Sequence, residues 1–170
     1  MPGSNLRLLA LDGVGVHGLS ALMIFEQLMK AVNQSAPRKP CEYFDIIGGT
    51  STSGLIAVML GWLRMTMRQT IDAYLSLSDR VFQKKADPVT VKGKIQGRFD
   101  SDELAQTMKE IVKRQDLDED ALLRREADSA CKMFVCATSK ETSETACFTT
   151  HRLARGNDDL SDSVKIWEAT

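Results

Sequence analysis

Two short apolar runs, each broken by a tight loop of small residues and followed by a segment of helical periodicity, constrain this chain more than anything else in it. The first run, LRLLAL at residues 6–11, passes through Asp12-Gly-Val-Gly-Val-His-Gly18 into LSALMIFEQLMKAV. The second, YFDIIGG, passes through Thr50-Ser-Thr-Ser53 into GLIAVMLGWL. A short, nearly all-apolar run that ends in a glycine loop reads as a strand buried on both faces of a parallel sheet. Two such strand-loop-helix units in succession predict an α/β fold with a mainly parallel central sheet and helices on both faces. Loops at the carboxyl ends of such strands are where active sites gather.

The remaining elements follow from the same patterns. In the first helix, from about Gly18, Leu19, Leu22, Met23, Phe25, Leu28, Met29 and Val32 recur at helical spacing, and Asn33, Pro37 and Pro40 end the run. Thr66 and Gln69 form a capping box for MRQTIDAYLSLSDRVF, whose expected buried stripe is Ile71, Tyr74, Leu75, Leu77, Val81 and Phe82. The segment KKADPVTVKGKIQGRFD, with Pro88, Gly93 and Gly97, reads as a surface excursion able to cover a cleft. Asp100 and Glu103 start the helix SDELAQTMKEIVKRQ, and DLDED begins a short helix after it. CKMFVCAT and TACFTTHR are two strands joined by the polar turn SKETSE, and Ser161 caps a last amphipathic helix, SDSVKIWEAT. That helix stops in mid-course at the end of the chain, the expected mark of an incomplete C-terminal side.

Composition narrows the class of partner. A chain of 170 residues, 43% apolar and 26% charged, is expected to form one globular unit, a single domain over residues 1–170. A formal net charge of −1, with Lys and Arg dispersed, gives no basic face for nucleic acid. Cys41, Cys131, Cys136 and Cys147 make no C-x-x-C pair and have no histidines at zinc-ligand spacing, so buried thiols are expected rather than a metal site or disulfides. The longest apolar run, LIAVMLGWL, is far shorter than a membrane span, and the N-terminus carries no leader pattern; a soluble, cytoplasmic protein is expected.

Each loop admits two readings. Gly13, Gly15 and Gly18 match the dinucleotide fingerprint G-x-G-x-x-G, yet Asp12 would repel a pyrophosphate, and Asp45 lies inside its strand rather than at the end where a ribose contact belongs. The same loop can instead offer the N–H groups of Gly13, Val14 and Gly15 to an oxyanion. In the second loop, Gly49-Thr-Ser-Thr-Ser53 sits where a strand turns sharply into a helix, the context of a nucleophile elbow. Ser51 at its apex is then placed to attack a carbonyl, with the helix N-terminus facing the negative charge that develops. Alternatively Ser51 or Thr52 merely caps the helix.

These residues resemble the patatin-like phospholipases and lipid acyl hydrolases. That family carries a D-G-G-G-x-R-G loop after its first strand and a G-x-S-x-G elbow after a later one, against Asp12–Gly18 and Gly49–Ser53 here. LSALMIFEQLMKAV, EYFDIIGGTSTSGLIAVMLG, SLSDRVF, GRFDSDEL and VKIWEAT are also similar to it, especially to fungal members, so the likeness spans nearly the whole chain. It implies a three-layer α/β sandwich and hydrolysis of acyl esters by a serine-aspartate dyad, without metal or organic cofactor. Ser51 would be the nucleophile and the amides of Gly13, Val14 and Gly15 the oxyanion donors, with Gly49 and Ser53 framing the elbow. The substrate would be a phospholipid or neutral lipid at a membrane or droplet surface, met by transient peripheral adsorption.

The chain departs from the family pattern at four points. Val14 replaces a glycine, His17 an arginine and Ser53 the last glycine of the elbow. After Ser51 there is no Asp-Gly-Gly or Asp-Gly-Ala tripeptide to supply the dyad aspartate; Asp72, Asp79, Asp100 and Asp102 fall on predicted helix or loop. A serine without a base is a weak nucleophile. The alternative is therefore a catalytically silent patatin-like module that binds lipid or protein as part of a larger multidomain chain. His17 could pair with Ser51, whereas His151, on the second hairpin strand, reads as an ordinary strand residue. Trp62, Trp167 and the eight methionines read as core packing.

Overall fold

The computed structural model describes residues 5–12, 18–35, 38–81, 101–124, 130–138, 143–152 and 159–169. Four strands form one sheet in the order β1 (Leu8–Leu11), β2 (Ile46–Thr50), β3 (Lys132–Thr138), β4 (Thr145–Thr149). β1 pairs with β2, and β2 with β3, in parallel, while β3 and β4 close an antiparallel hairpin. Helices α1 (Gly18–Val32) and α2 (Pro40–Tyr43) connect β1 to β2. Between β2 and β3 come α3 (Thr52–Ala57), α4 (Met67–Val81) and α5 (Ser101–Lys113). The short α6 (Asp159–Ser163) and a 3₁₀ turn (Ile166–Ala169) follow β4. The expected α/β fold with a mainly parallel sheet is the observed one.

The sequence chooses these elements through small residues at the points of closest approach. Alternation along β2 puts Ile47 and Gly49 on the face that packs against α3, with Met133 and Val135 of β3 beside them. α3 continues through a π-helical turn at Val58–Trp62, and every residue from Thr52 to Leu63 is buried. This segment is the centre of the core: Ile56, Met59, Leu60, Ile47 and Met133 are all at most 1% exposed. Trp62 is seated by its indole N–H, which donates to the Leu123 carbonyl at 2.6 Å. A second layer forms where α1 docks on α4. A Cβ at Gly18 would meet the Tyr74 hydroxyl at 2.2 Å, so glycine allows this contact.

Several expectations need correction. β1 is not buried on both faces: its residues alternate between exposed and half-buried, because it is the edge strand among the described residues. In α1 only Gly18, Leu22, Phe25 and Met29 are buried, whereas Met23, Leu28 and Val32 are exposed. Pro40 does not stop a helix but occupies the first turn of α2, where its missing N–H costs nothing. Tyr43 belongs to α2, and β2 begins only at Ile46. In α4, Leu75 faces solvent and Met67, Thr70 and Ala73 complete the buried stripe. DLDED forms turns instead of a helix, since the Asp118 carboxylate accepts the Asp120 N–H and competes with helical bonding. Ser161 lies inside α6, and its hydroxyl accepts the buried N–H of Thr149 at 3.1 Å. The predicted amphipathic last helix is replaced by α6 and the 3₁₀ turn. Residues 84–100, read as a cleft-covering excursion, lie outside the described residues.

Candidate active site

The strand register brings the carboxyl ends of β1 and β2 to one edge of the sheet. Leu11 is opposite Gly49, so β1 ends one residue short of Thr50, the last residue of β2, which is opposite Cys136 of β3. Gly13, Val14, Gly15 and His17 lie outside the described residues. The two ends of their loop, Asp12 and Gly18, are fixed to this edge and to α4 respectively.

The elbow follows from steric necessity. A Cβ on Gly49 would lie 2.3 Å from the Ser53 carbonyl oxygen and 2.5 Å from its carbon, and one on Gly54 would lie 2.7 Å from Val135 Cγ1. Strand and helix therefore approach more closely than any side chain at Gly49 permits. The chain reverses through Ser51 at φ 55°, ψ −132°. This ψ is far from the left-handed helical basin near +47°, and a non-glycine residue held so costs about 1–3 kcal/mol. Surrounding contacts over-determine it: the Gly54 N–H donates to the Ser51 carbonyl at 2.8 Å, and residues 52–63 are buried behind it.

Ser51 occupies the N-cap position of α3, but its hydroxyl makes no capping bond, and the residue is exposed. Ser51 lines a cavity of about 500 Å³ together with Thr50 and Thr52. The rest of that wall is mostly apolar, with Leu55, Leu104, Val135, Ala137, Phe148 and Ala169 among its residues. Thr52 Oγ1, buried beside Ser51, has no hydrogen-bond partner among the described residues.

Ser53, which replaces the elbow's usual last glycine, is fully buried, and its hydroxyl donates to the Asp12 carbonyl at 2.5 Å. The atoms nearest a Cβ at Gly49 are main-chain atoms of Ser53 and Gly54, not the Ser53 side chain. The extra atoms thus fasten the end of β1, where the glycine loop begins, to the helix that carries Ser51.

Carboxylates and histidines are distributed unevenly around this edge. Glu168 is in the cavity wall, with Oε2 accepting the Lys165 N–H at 2.8 Å. Asp72, Asp79 and Asp102 are exposed on α4 and α5 and are not part of that wall, and Asp100 lies outside the described residues. His151 follows β4, whose Cys147 is opposite Cys136; at ~3.4 Å per residue the four residues from Cys147 carry it roughly 13 Å toward the other end of the sheet. Asp45 is at that far end too, where its carboxylate accepts the Arg7 N–H at 2.7 Å and its carbonyl the Lys132 N–H at 2.8 Å. It stands away from the glycine loop and cannot serve the ribose of a dinucleotide bound there. Among the described residues no cluster of His, Cys, Asp and Glu could hold a metal ion, and no helix is long and apolar enough to cross a membrane.

The cavity wall from β3, β4, α5 and the 3₁₀ turn was missed in the sequence. The pairing of β3 with β4 creates it, and only the apolar ends of CKMFVCAT and TACFTTHR hinted at it.

Comparison with known proteins accords with this geometry. The family model for patatin-like phospholipase matches residues 9–169. Phospholipase A I of Arabidopsis thaliana is 37% identical over 82 residues, which is 48% of this chain and 6% of that protein. Calcium-independent phospholipase A2-gamma of Homo sapiens is 33% identical over 91 residues, 53% of this chain and 11% of that protein. Patatin-2-Kuras 4 of Solanum tuberosum is 38% identical over 61 residues, 34% of this chain and 16% of that protein. The matched segments are therefore a small part of these relatives' own length. With a family match from the first strand to the final turn, the chain belongs to the patatin-like phospholipase family.

Proposed function

We propose that this chain is a patatin-like unit for lipid acyl-ester hydrolysis with Ser51 as its nucleophile. The observation that carries the reading is the uncapped, exposed hydroxyl of Ser51, held at φ 55° on a strand-helix elbow and facing an apolar cavity. Ser51 Oγ attacks the ester carbonyl carbon and gives its proton to a base, and the carbonyl oxygen becomes an oxyanion. The amides of Gly13, Val14 and Gly15 stabilise that charge; one such donor is worth about 10²–10³ in rate. Collapse expels the alcohol, which takes back the proton lost by Ser51, and water then releases the fatty acid from the acyl-serine. The apolar wall holds the acyl chain, and the lipid is met at a membrane or droplet surface by peripheral adsorption, in the cytoplasm.

A second reading is favoured by one specific feature, the absence of an Asp-Gly-Gly or Asp-Gly-Ala tripeptide after Ser51. On that reading the chain is a silent module that binds lipid or a protein partner within a larger assembly. Fatty-acid release from phosphatidylcholine vesicles separates the two. Hydrolysis that disappears in Ser51→Ala supports the enzyme, whereas vesicle co-sedimentation with no release by either protein supports the silent module.

A further inference from the structure

Cys136 and Cys147 are register partners on β3 and β4, with their sulfurs 4.0 Å apart and both reduced. Directly opposed residues of an antiparallel pair have Cα atoms about 4.5–5.5 Å apart, inside the roughly 4.4–6.8 Å span that a disulfide bridges. The sulfurs need to close by only about 2 Å to reach bonding distance, a shift that side-chain rotation supplies. Position distinguishes this pair from the other two cysteines. Cys41 and Cys131 are at most 3% exposed in the core, whereas Cys136 and Cys147 are half-buried and Cys136 lines the Ser51 cavity. Cys136 is also opposite Thr50, the residue before Ser51.

We propose that Cys136 and Cys147 form a reversible disulfide site in the wall of the Ser51 cavity, oxidised by a small soluble disulfide such as oxidised glutathione. Cys136, reached through the cavity, attacks the glutathione disulfide as its thiolate, forming a mixed disulfide and expelling one glutathione thiolate. Cys147 then attacks the Cys136 sulfur and expels the second. The two protons lost by the cysteines end on the two glutathione thiols, so the protein pair loses two electrons and the oxidant gains them. Burial, with Cys136 close by, pushes the Cys147 thiol up to about 11, so the second step is slow at neutral pH and accelerates in alkali. Once formed, the bond ties β4 to β3 beside the elbow. The inference stands whether or not Ser51 is a nucleophile.

The test is mass spectrometry of the folded 170-residue chain after incubation with excess oxidised glutathione and alkylation of the remaining thiols. Before alkylation the expected product is about 2 Da lighter than the reduced chain; after alkylation under denaturing conditions it shows a linked peptide pair carrying Cys136 and Cys147 and alkylated Cys41 and Cys131, and dithiothreitol reverses the link in full. In Cys147→Ser the reaction should halt with one glutathione on Cys136. Links through Cys41 or Cys131, stable glutathione adducts on both Cys136 and Cys147, or alkylation of both as unreacted thiols would each overturn the proposal.

Discussion

Ser51 and Ser53 show how two serines two positions apart acquire opposite roles from backbone geometry alone. Ser51, at φ 55°, is exposed and makes no capping bond, while Ser53, within α3, is buried and its hydroxyl binds the Asp12 carbonyl. Removing that bond in Ser53→Ala should cost about 1 kcal/mol and lower the melting temperature by roughly 2–4 °C. An unchanged melting curve from scanning fluorimetry would show that the bond adds nothing. The sharp strand-to-helix turn was legible in the sequence because Gly49 obeys a steric rule that holds wherever strand meets helix this closely. The compatibility of Ser53 was not legible, since it depends on where residue 12, 41 positions away, places its carbonyl.

At the scale of elements, local signals were read well and tertiary ones poorly. The Thr66 box forms as expected, with the Thr66 N–H donating to Gln69 Oε1 at 2.9 Å and the Gln69 N–H to Thr66 Oγ1 at 3.2 Å. Periodicity located α1, α4 and α5, but it could not say how wide a stripe each neighbour would cover, so Met23, Leu28 and Val32, three of the seven residues of the α1 stripe, face outward. Helices α4 and α5 are joined by Arg80, whose Nε meets Glu103 at 2.6 Å and whose Nη1 meets Glu110 at 2.7 Å. Hydrogen bonds from Arg80 and then Gln106 hold the Glu110 carboxyl below the usual glutamate range. A lowered folded-state value gives stability that is present above the unfolded value of about 4.3 and lost as pH falls through the folded one. Glu110→Gln should therefore flatten the acid side of the melting-temperature profile and leave its slope near neutrality unchanged. An acid limb as steep as that of the parent chain would contradict this.

For the whole molecule, the apolar runs announced an α/β sheet, and the sheet is present with the carboxyl ends of β1 and β2 side by side. The exposure of Leu8 at 56% and Ile24 at 72% marks where composition alone misleads, because an apolar sequence states a demand for burial and not what meets it. The cavity wall was illegible for a related reason: it brings α5, the β3–β4 hairpin and the 3₁₀ turn together beside the turn at Ser51, far from them in sequence. The core has its own alkaline weakness. Burial drives the Cys131 thiol up to about 12, so between an unfolded value near 8.5 and that folded value the unfolded chain loses a proton that the folded chain keeps. Stability should fall as pH rises through this window, and Cys131→Ala should make the decline shallower in thermal melts. The central claim, that Ser51 is an activated nucleophile, is tested most directly by a fluorophosphonate probe with peptide mapping. A single adduct on Ser51 that disappears in Ser51→Ala is the predicted result, and an unlabelled folded chain, or an adduct on any other residue, would contradict it.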